Sequence, residues 1–240
     1  MSNLLYSIFR GPLPPALELP AGVAGQPVEV VEHQGLGAAL SELAQTGAPP
    51  QLPWILAYGT VVEFLFRHLT VIPLRYGAMA GDRREVLALL ERHQAEYAAL
   101  LAELDGMAEM GVEVLSEDCV GGATTAAIAP ARPPDSAPSG ASYLSGKKLY
   151  YRCADRIVER DSELVEEISA SVAGLFVRRK VERPSRDRLL RLYFLVPRPA
   201  VECFRRTSRQ GSRNQPVKLL LSGPWPPYNF VDGNPGGAIL

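Results

Sequence analysis

The sequence predicts an α+β fold: a small N-terminal α+β domain over residues 1–69, then a modified ferredoxin-like (split βαβ) domain over 70–240. Three observations support this. Short strand-like runs alternate with apolar stripes at helical spacing, which is the mark of mixed architecture. Two strand–helix–strand groups fall after residue 70, as a split βαβ sheet requires. Between them lies a segment of about 116–183 with a different composition, a variable linker followed by a long helix.

The elements follow in order. Leu4–Phe9 is an apolar and aromatic strand stopped by Gly11-Pro12, and 11–27, rich in Pro, Gly and Ala, reads as loop. Val28–His33 and Leu36–Leu43 flank Gln34-Gly35 as the arms of a hairpin. Trp54–His68 suits a mostly buried helix, with Trp54, Leu56, Val61, Phe64, Leu65 and Leu69 as its apolar positions. Thr70–Tyr76 is a strand. Asp82, with Glu85 three residues on, starts a helix that runs to about Leu104 and stops at Gly106. Met110–Leu115 closes this first βαβ group.

The second group is Leu189–Val196, a short helix around Ala200–Arg209, and Val217–Leu221. In the intervening segment, 121–140 is Ala, Pro, Ser and Gly with almost no charge. Tyr143–Val181 reads as one helix with Leu149, Cys153, Ile157, Leu164, Ile168, Val172, Leu175 and Phe176 on one side. It would reach about 55 Å at the standard helical rise. Its stripe either packs on the N-terminal domain or meets a partner, with Ile157, Leu164 and Ile168 as the contact candidates.

Charge and composition narrow the function. The 240 residues are 47% apolar and 21% charged, with a formal net charge of −1, so no global field draws the chain to nucleic acid or acidic membranes. Residues 81–118 hold ten acids against three arginines, whereas 178–191 hold seven bases against two acids. These segments either pair with each other or form two solvated faces. Cys119, Cys153 and Cys203 have no CxxC spacing, which argues against a disulfide framework or zinc site and fits a reducing, cytoplasmic compartment. The N-terminus lacks a signal-peptide pattern, and the apolar run 53–66 is broken by Glu63 and too short for a span.

No chemistry stands out. His33, His68 and His93 have neither metal-ligand spacing nor a nucleophile signature nearby. There is no GxSxG elbow, P-loop or GxGxxG after a strand. The expectation is therefore a protein that is not an enzyme and carries no cofactor or metal. A ferredoxin-like RNA-binding module is the alternative from another class, although no strand carries the aromatic signature of such sheets.

The most distinctive stretch is the end: Val217-Lys218-Leu219-Leu220-Leu221-Ser222-Gly223-Pro224-Trp225-Pro226-Pro227-Tyr228-Asn229-Phe230-Val231. It resembles the C-terminus of the gas vesicle protein L/F family. Leu5-Tyr6-Ser7-Ile8-Phe9 resembles that family's opening strand, and Val71-Ile72-Pro73-Leu74-Arg75-Tyr76-Gly77 its central segment. Tyr143-Leu144 before Lys147-Lys148 and Phe194-Leu195-Val196-Pro197 are similar to two later motifs, in the same order. Ala57-Tyr58-Gly59 stands where relatives carry a His-Glu pair, so no role of that pair is carried over.

The resemblance implies a minor structural or assembly accessory of gas vesicle formation, in the cytoplasm and at the vesicle. Its partners would be the small hydrophobic shell protein and other accessory proteins, with no nucleic acid and no membrane. Pro73, Arg75, Tyr76, Gly77 and Lys148 would be structural motif residues. Arg75 can simply pair with an acid in 82–118. Trp225, Tyr228 and Phe230, in the tail at 223–240, either contact a partner or fold back over their own sheet edge.

Overall fold

The computed structural model describes residues 2–44, 47–115, 161–182, 190–212 and 218–231. By packing, the chain divides into one unit of residues 1–110, 195–198 and 223–240, and another of 111–194 and 199–222.

The first unit is built on β1 (Ser2–Arg10), whose residues 2–9 are all buried. Both sides of β1 are paired. On one side it runs antiparallel to β3 (Leu36–Leu43), from Ser2 opposite Leu43 to Arg10 opposite Leu36, with a register shift between Leu5 and Ser7. On the other side it pairs with β4 (Val71–Pro73) and β5 (Met79–Ala80). The sheet order is β2-β3-β1-β4, with β2 (Glu29–His33) at an edge. The β2–β3 hairpin turns at Gln34 (φ 45°) and Gly35 (φ 81°), two left-handed residues that match the twist of the flanking strands.

Helices cover this sheet. α1 (Leu52–His68) buries Tyr58, Val61, Val62, Leu65 and Phe66 against β1, β4 and the turn at Val23–Gly25. The single helix expected from Asp82 to Leu104 is two, α2 (Arg83–Arg92) and α3 (Gln94–Glu103), broken at His93 (φ −109°, ψ 18°). The break re-aims the apolar stripe, because α2 packs on β2, β3 and β5 whereas α3 packs on β1 and β4. Asp82 caps α2 as expected, its Oδ1 accepting from Glu85 N at 2.9 Å. The expected strand over 70–76 pairs only at 71–73, since Ala78 N–H donates to Arg75 O and closes a turn through Gly77 (φ 93°).

Because β4 and β5 pair with β1, the packing division does not fall at the expected 69/70 boundary. Residues 195–198 also count with the first unit. Arg198 there lies 4.1 Å over the Phe66 ring and donates to Phe66 O, and its backbone N–H donates to Gly106 O. Burial holds its guanidinium below the ordinary arginine value, and Asp105 opposes that shift.

The second sheet has the order β7-β8-β6-β9. Its strands are β6 (Met107–Leu115), β7 (Arg178–Glu182), β8 (Leu190–Pro197) and β9 (Lys218–Trp225). A helix, α4, covers 161–171 before β7, and α5 (Val201–Ser212) lies between β8 and β9. The succession β6-α4-β7-β8-α5-β9 is that of a split βαβ sheet. The first strand of that sheet is therefore β6, not the 70–76 segment, which joins the other sheet. The helix read as an insertion supplies the first crossover. It also ends sooner than the expected residue 181: Gly174 (φ 78°) follows it, and the chain re-enters as β7.

Within the second unit, Val165 and Ile168 along α4, Val172 just after it, and Val201 and Phe204 along α5 are buried. Phe194 of β8 sits between Phe176 at 4.9 Å and Phe204 at 5.3 Å. Arg191 meets Glu113 at 3.4 Å, so the basic and acidic segments touch at least at this pair.

Candidate interaction surface

The central motif segment belongs to a tyrosine cluster in the first unit. The ring of Tyr58 stacks on Tyr6 at 5.0 Å and meets the edge of Tyr76 at 5.3 Å. Its hydroxyl lies 2.9 Å from Leu74 O, 3.0 Å from Leu5 O and 3.3 Å from Tyr6 O, donating into carbonyls of β1 and the strand end that follows β4. Tyr6 Oη donates to Ser41 Oγ at 3.0 Å and accepts from Val23 N at 2.9 Å, and Ser41 Oγ donates to Pro27 O at 2.8 Å. Tyr76 Oη donates to Pro49 O at 2.8 Å.

Burial, reinforced by Tyr228, Tyr6 and Tyr76, pushes the Tyr58 hydroxyl well above the ordinary phenol value. Burial also raises Tyr6, though its bonds to Ser41 and Val23 pull the other way. A hydroxyl kept neutral and spent on backbone carbonyls holds loops in place. Pro73 is buried in β4, Tyr76 and Gly77 are half-buried, and Arg75 is exposed. Among the described residues Arg75 forms no ion pair, contrary to the pairing expected with an acid of 82–118. The turn closed by Ala78 leaves it in solvent, while Glu96 meets His93 and Glu113 meets Arg191. Lys148 and Ile157 lie outside the described residues.

The tail aromatics divide. Trp225 at the end of β9 is 47% exposed. Beyond it Pro226 and Pro227 are buried, Tyr228–Phe230 forms a helical turn, and Phe230 and Val231 enter the core at 3% and 9% exposure. The anchor is Glu109 of β6, only 4% exposed, which accepts from Asn229 N at 2.8 Å and Asn229 Nδ2 at 2.7 Å. Burial, with the nearby Glu109 carboxylate, drives the Tyr228 phenol upward. The tail thus folds back on its own unit, and Phe230 is core rather than contact. On α4, Leu164 is half-buried and Ile168, at 3% exposure, is likewise core.

Other apolar residues take the surface. On α1, Leu52 is 68%, Leu56 61% and Ile55 39% exposed, although Leu56 was expected inside. A signal existed for two of them: Leu52 and Leu56 lie off the stripe through 58, 61, 62 and 65, and Leu56 shares its face with Thr60, Glu63 and Arg67, whereas Ile55, three residues before Tyr58 and seven before Val62, sits at the margin of the stripe. Val177 and Leu220 are exposed in the second unit. The Glu109–Asn229 anchor had no signal, since 120 residues separate its partners. Among the described residues no helix is long and apolar enough to cross a membrane.

Fold and surface together define a class: a two-unit α+β protein with a split βαβ sheet, whose motif residues hold backbone loops in place. The family model for gas vesicle synthesis protein GvpL/GvpF matches residues 3–232, and the chain belongs to this family. It is 27% identical to gas vesicle protein L of a Streptomyces species, over 93% of this chain and 89% of that one. Against gas vesicle protein F of the same source the identity is 27%, over 97% and 100%. The crystal structure of the gas vesicle protein GvpF from an Anabaena species superposes with a TM-score of 0.78 at 18% identity, covering 96% of each chain. That of GvpF from Microcystis aeruginosa gives 0.75 at 15%, covering 95% of this chain and 98% of that one. Both likenesses concern the fold.

Proposed function

We propose that the protein is a minor structural or assembly accessory of gas vesicle formation, acting in the cytoplasm and at the vesicle, without catalysis. In this reading it binds the small hydrophobic shell protein and other accessory proteins. The family match over nearly the whole length carries the reading. A shell subunit is made to polymerise into a sheet-like wall, so before assembly its apolar surface needs a temporary cover. In the first unit Leu52, Ile55 and Leu56 of α1 and Trp225 offer apolar side chains for that task, and in the second unit the half-buried Leu164 is a separate candidate. The RNA-binding alternative gains no support from β8, where Phe194 is buried and Tyr193 Oη donates to Glu182.

Co-expression with the small shell protein tests this. Purification of the complex should retain shell protein in 1 M salt as well as in low salt, because apolar contacts are not screened (about 3 Å Debye length at that salt). Absence of shell protein at both salts would remove it as the direct partner.

A further inference from the structure

We infer that the long loop before β2 and the outer face of that strand form a preformed docking groove for a polypeptide segment with aliphatic side chains flanked by lysine or arginine. The groove has a volume of about 550 Å³ and lies wholly in the first unit. Leu13, Leu17, Leu19 and Pro20 line it, together with Val28 just before β2 and Val30 within it. All these residues except Val30 come from a loop of irregular backbone, and each is half-buried. It is shallow and open to solvent, so it suits two or three side chains laid along it and covered on one side.

Two features make it a site rather than a crease. First, the wall is pinned. Val23 N donates to Tyr6 Oη at 2.9 Å, Ser41 Oγ donates to Pro27 O at 2.8 Å, and Leu17 N donates to Pro14 O at 2.9 Å. Leu13 N donates to Glu32 Oε1 at 2.9 Å, tying the far end of the loop to β2. A Cβ at Gly22 would overlap Tyr6 Oη and Ser41 Oγ, so the loop is pressed against the tyrosine cluster where only glycine fits. Long loops held in this way are seldom mere connectors, and a groove that needs no ordering loses little entropy on binding.

Second, the loop and strand that line it carry charge of one sign. Residues 11–32 contain Glu18, Glu29 and Glu32 and no lysine or arginine. Glu29 alternates to the opposite side of β2 and meets Arg83 at 2.5 Å. Glu18, between the lining residues Leu17 and Leu19, is exposed and forms no ion pair among the described residues; Glu32 is exposed beside Leu13. Aliphatic lining with carboxylates at the rim favours an apolar segment bearing cationic flanks, and disfavours fatty-acid anions and anionic lipid. This does not depend on the shell protein being the partner.

The probe is a dye-labelled synthetic peptide with a Leu-Leu centre and two lysines at each end, titrated into the full chain and followed by anisotropy. We expect saturable binding at least tenfold tighter than that of the same peptide with glutamates at its ends. Glu18→Lys should narrow that preference several-fold, and Leu17→Asp should lower affinity about tenfold. Leu19→Ser provides the same readout should Leu17→Asp not fold. Equal affinity for the two peptides, unchanged binding in both leucine variants, or no saturation with the lysine peptide would each overturn the inference. Loss of shell-protein retention with peptide binding intact would count against the proposed partner and leave the groove standing.

Discussion

The tail at 226–231 and the first two turns of α1 are equally apolar, yet the structure puts them on opposite sides of the surface. The tail is aromatic and rich in proline, a composition suited to contact, and it is core: Phe230 and Val231 are buried. The start of α1 reads as part of a buried helix, and Leu52 and Leu56 stand in solvent. What separates them is polar anchoring and phase. Asn229 gives the tail two bonds to the buried Glu109, fixing Phe230 inward. In α1 the inward phase is set by Tyr58, whose hydroxyl is held by the carbonyls of Leu5 and Leu74. The residues off that phase have nowhere to go but out. Apolar content alone does not place a segment inside; hydrogen bonds and helical phase decide.

Substitutions should separate the two regions, the largest effects falling on the tail. Phe230→Ala should destabilise the first unit by about 3–5 kcal/mol in urea unfolding, the range for emptying an aromatic core site. Asn229→Ala should cost about 1–3 kcal/mol, because it strips Nδ2–H from a buried carboxylate, and Asn229→Asp should cost more by facing two carboxylates.

Tyr58→Phe should cost about 1 kcal/mol at neutral pH and also change the alkaline limb. The Tyr58 phenol is raised above the ordinary 10.0, so below that pH it is neutral whether the chain is folded or not. As pH climbs past it, the unfolded chain loses the proton first, and stability falls toward the folded value. The variant should therefore lose stability less steeply above pH 10.0 than the parent chain does. An identical slope would mean that the cluster contributes nothing to alkaline unfolding. At the small end, Leu56→Ser on the exposed helix face should move stability by no more than about 0.5 kcal/mol. A loss as large as that of Asn229→Ala would show that this face is packed after all.

Much of the fold was legible because its signals are local. The Gln34-Gly35 hairpin, the Asp82 cap and the strands β1, β6 and β8 follow from turn chemistry, side-chain capping and alternation. Which sheet a strand joins is not local. Val71–Pro73 precedes a helix and a strand and so looked like the opening of the split βαβ sheet, but it pairs with β1, more than 60 residues upstream. The crossover role of α4 was hidden in the same way, because a helix of fitting length carries no mark of the sheet it crosses. Motif residues were easier to find than to interpret: Tyr76 is tied to Pro49 O, whereas Arg75, next to it, has no ion pair among the described residues. The exposure of Leu52 and Leu56 was legible in phase, since Leu56 shares its face with Thr60, Glu63 and Arg67, but the apolar content of the first two turns hid it.

One measurement bears most directly on the proposed role. The small shell protein is co-expressed with either the parent chain or a Leu52→Ser, Leu56→Ser variant, and the shell protein retained in 1 M salt is quantified. The exposed face predicts that the variant unfolds within about 1 kcal/mol of the parent, two surface changes taken together, and loses most of the retained shell protein. Full retention by a variant of unchanged stability would contradict it.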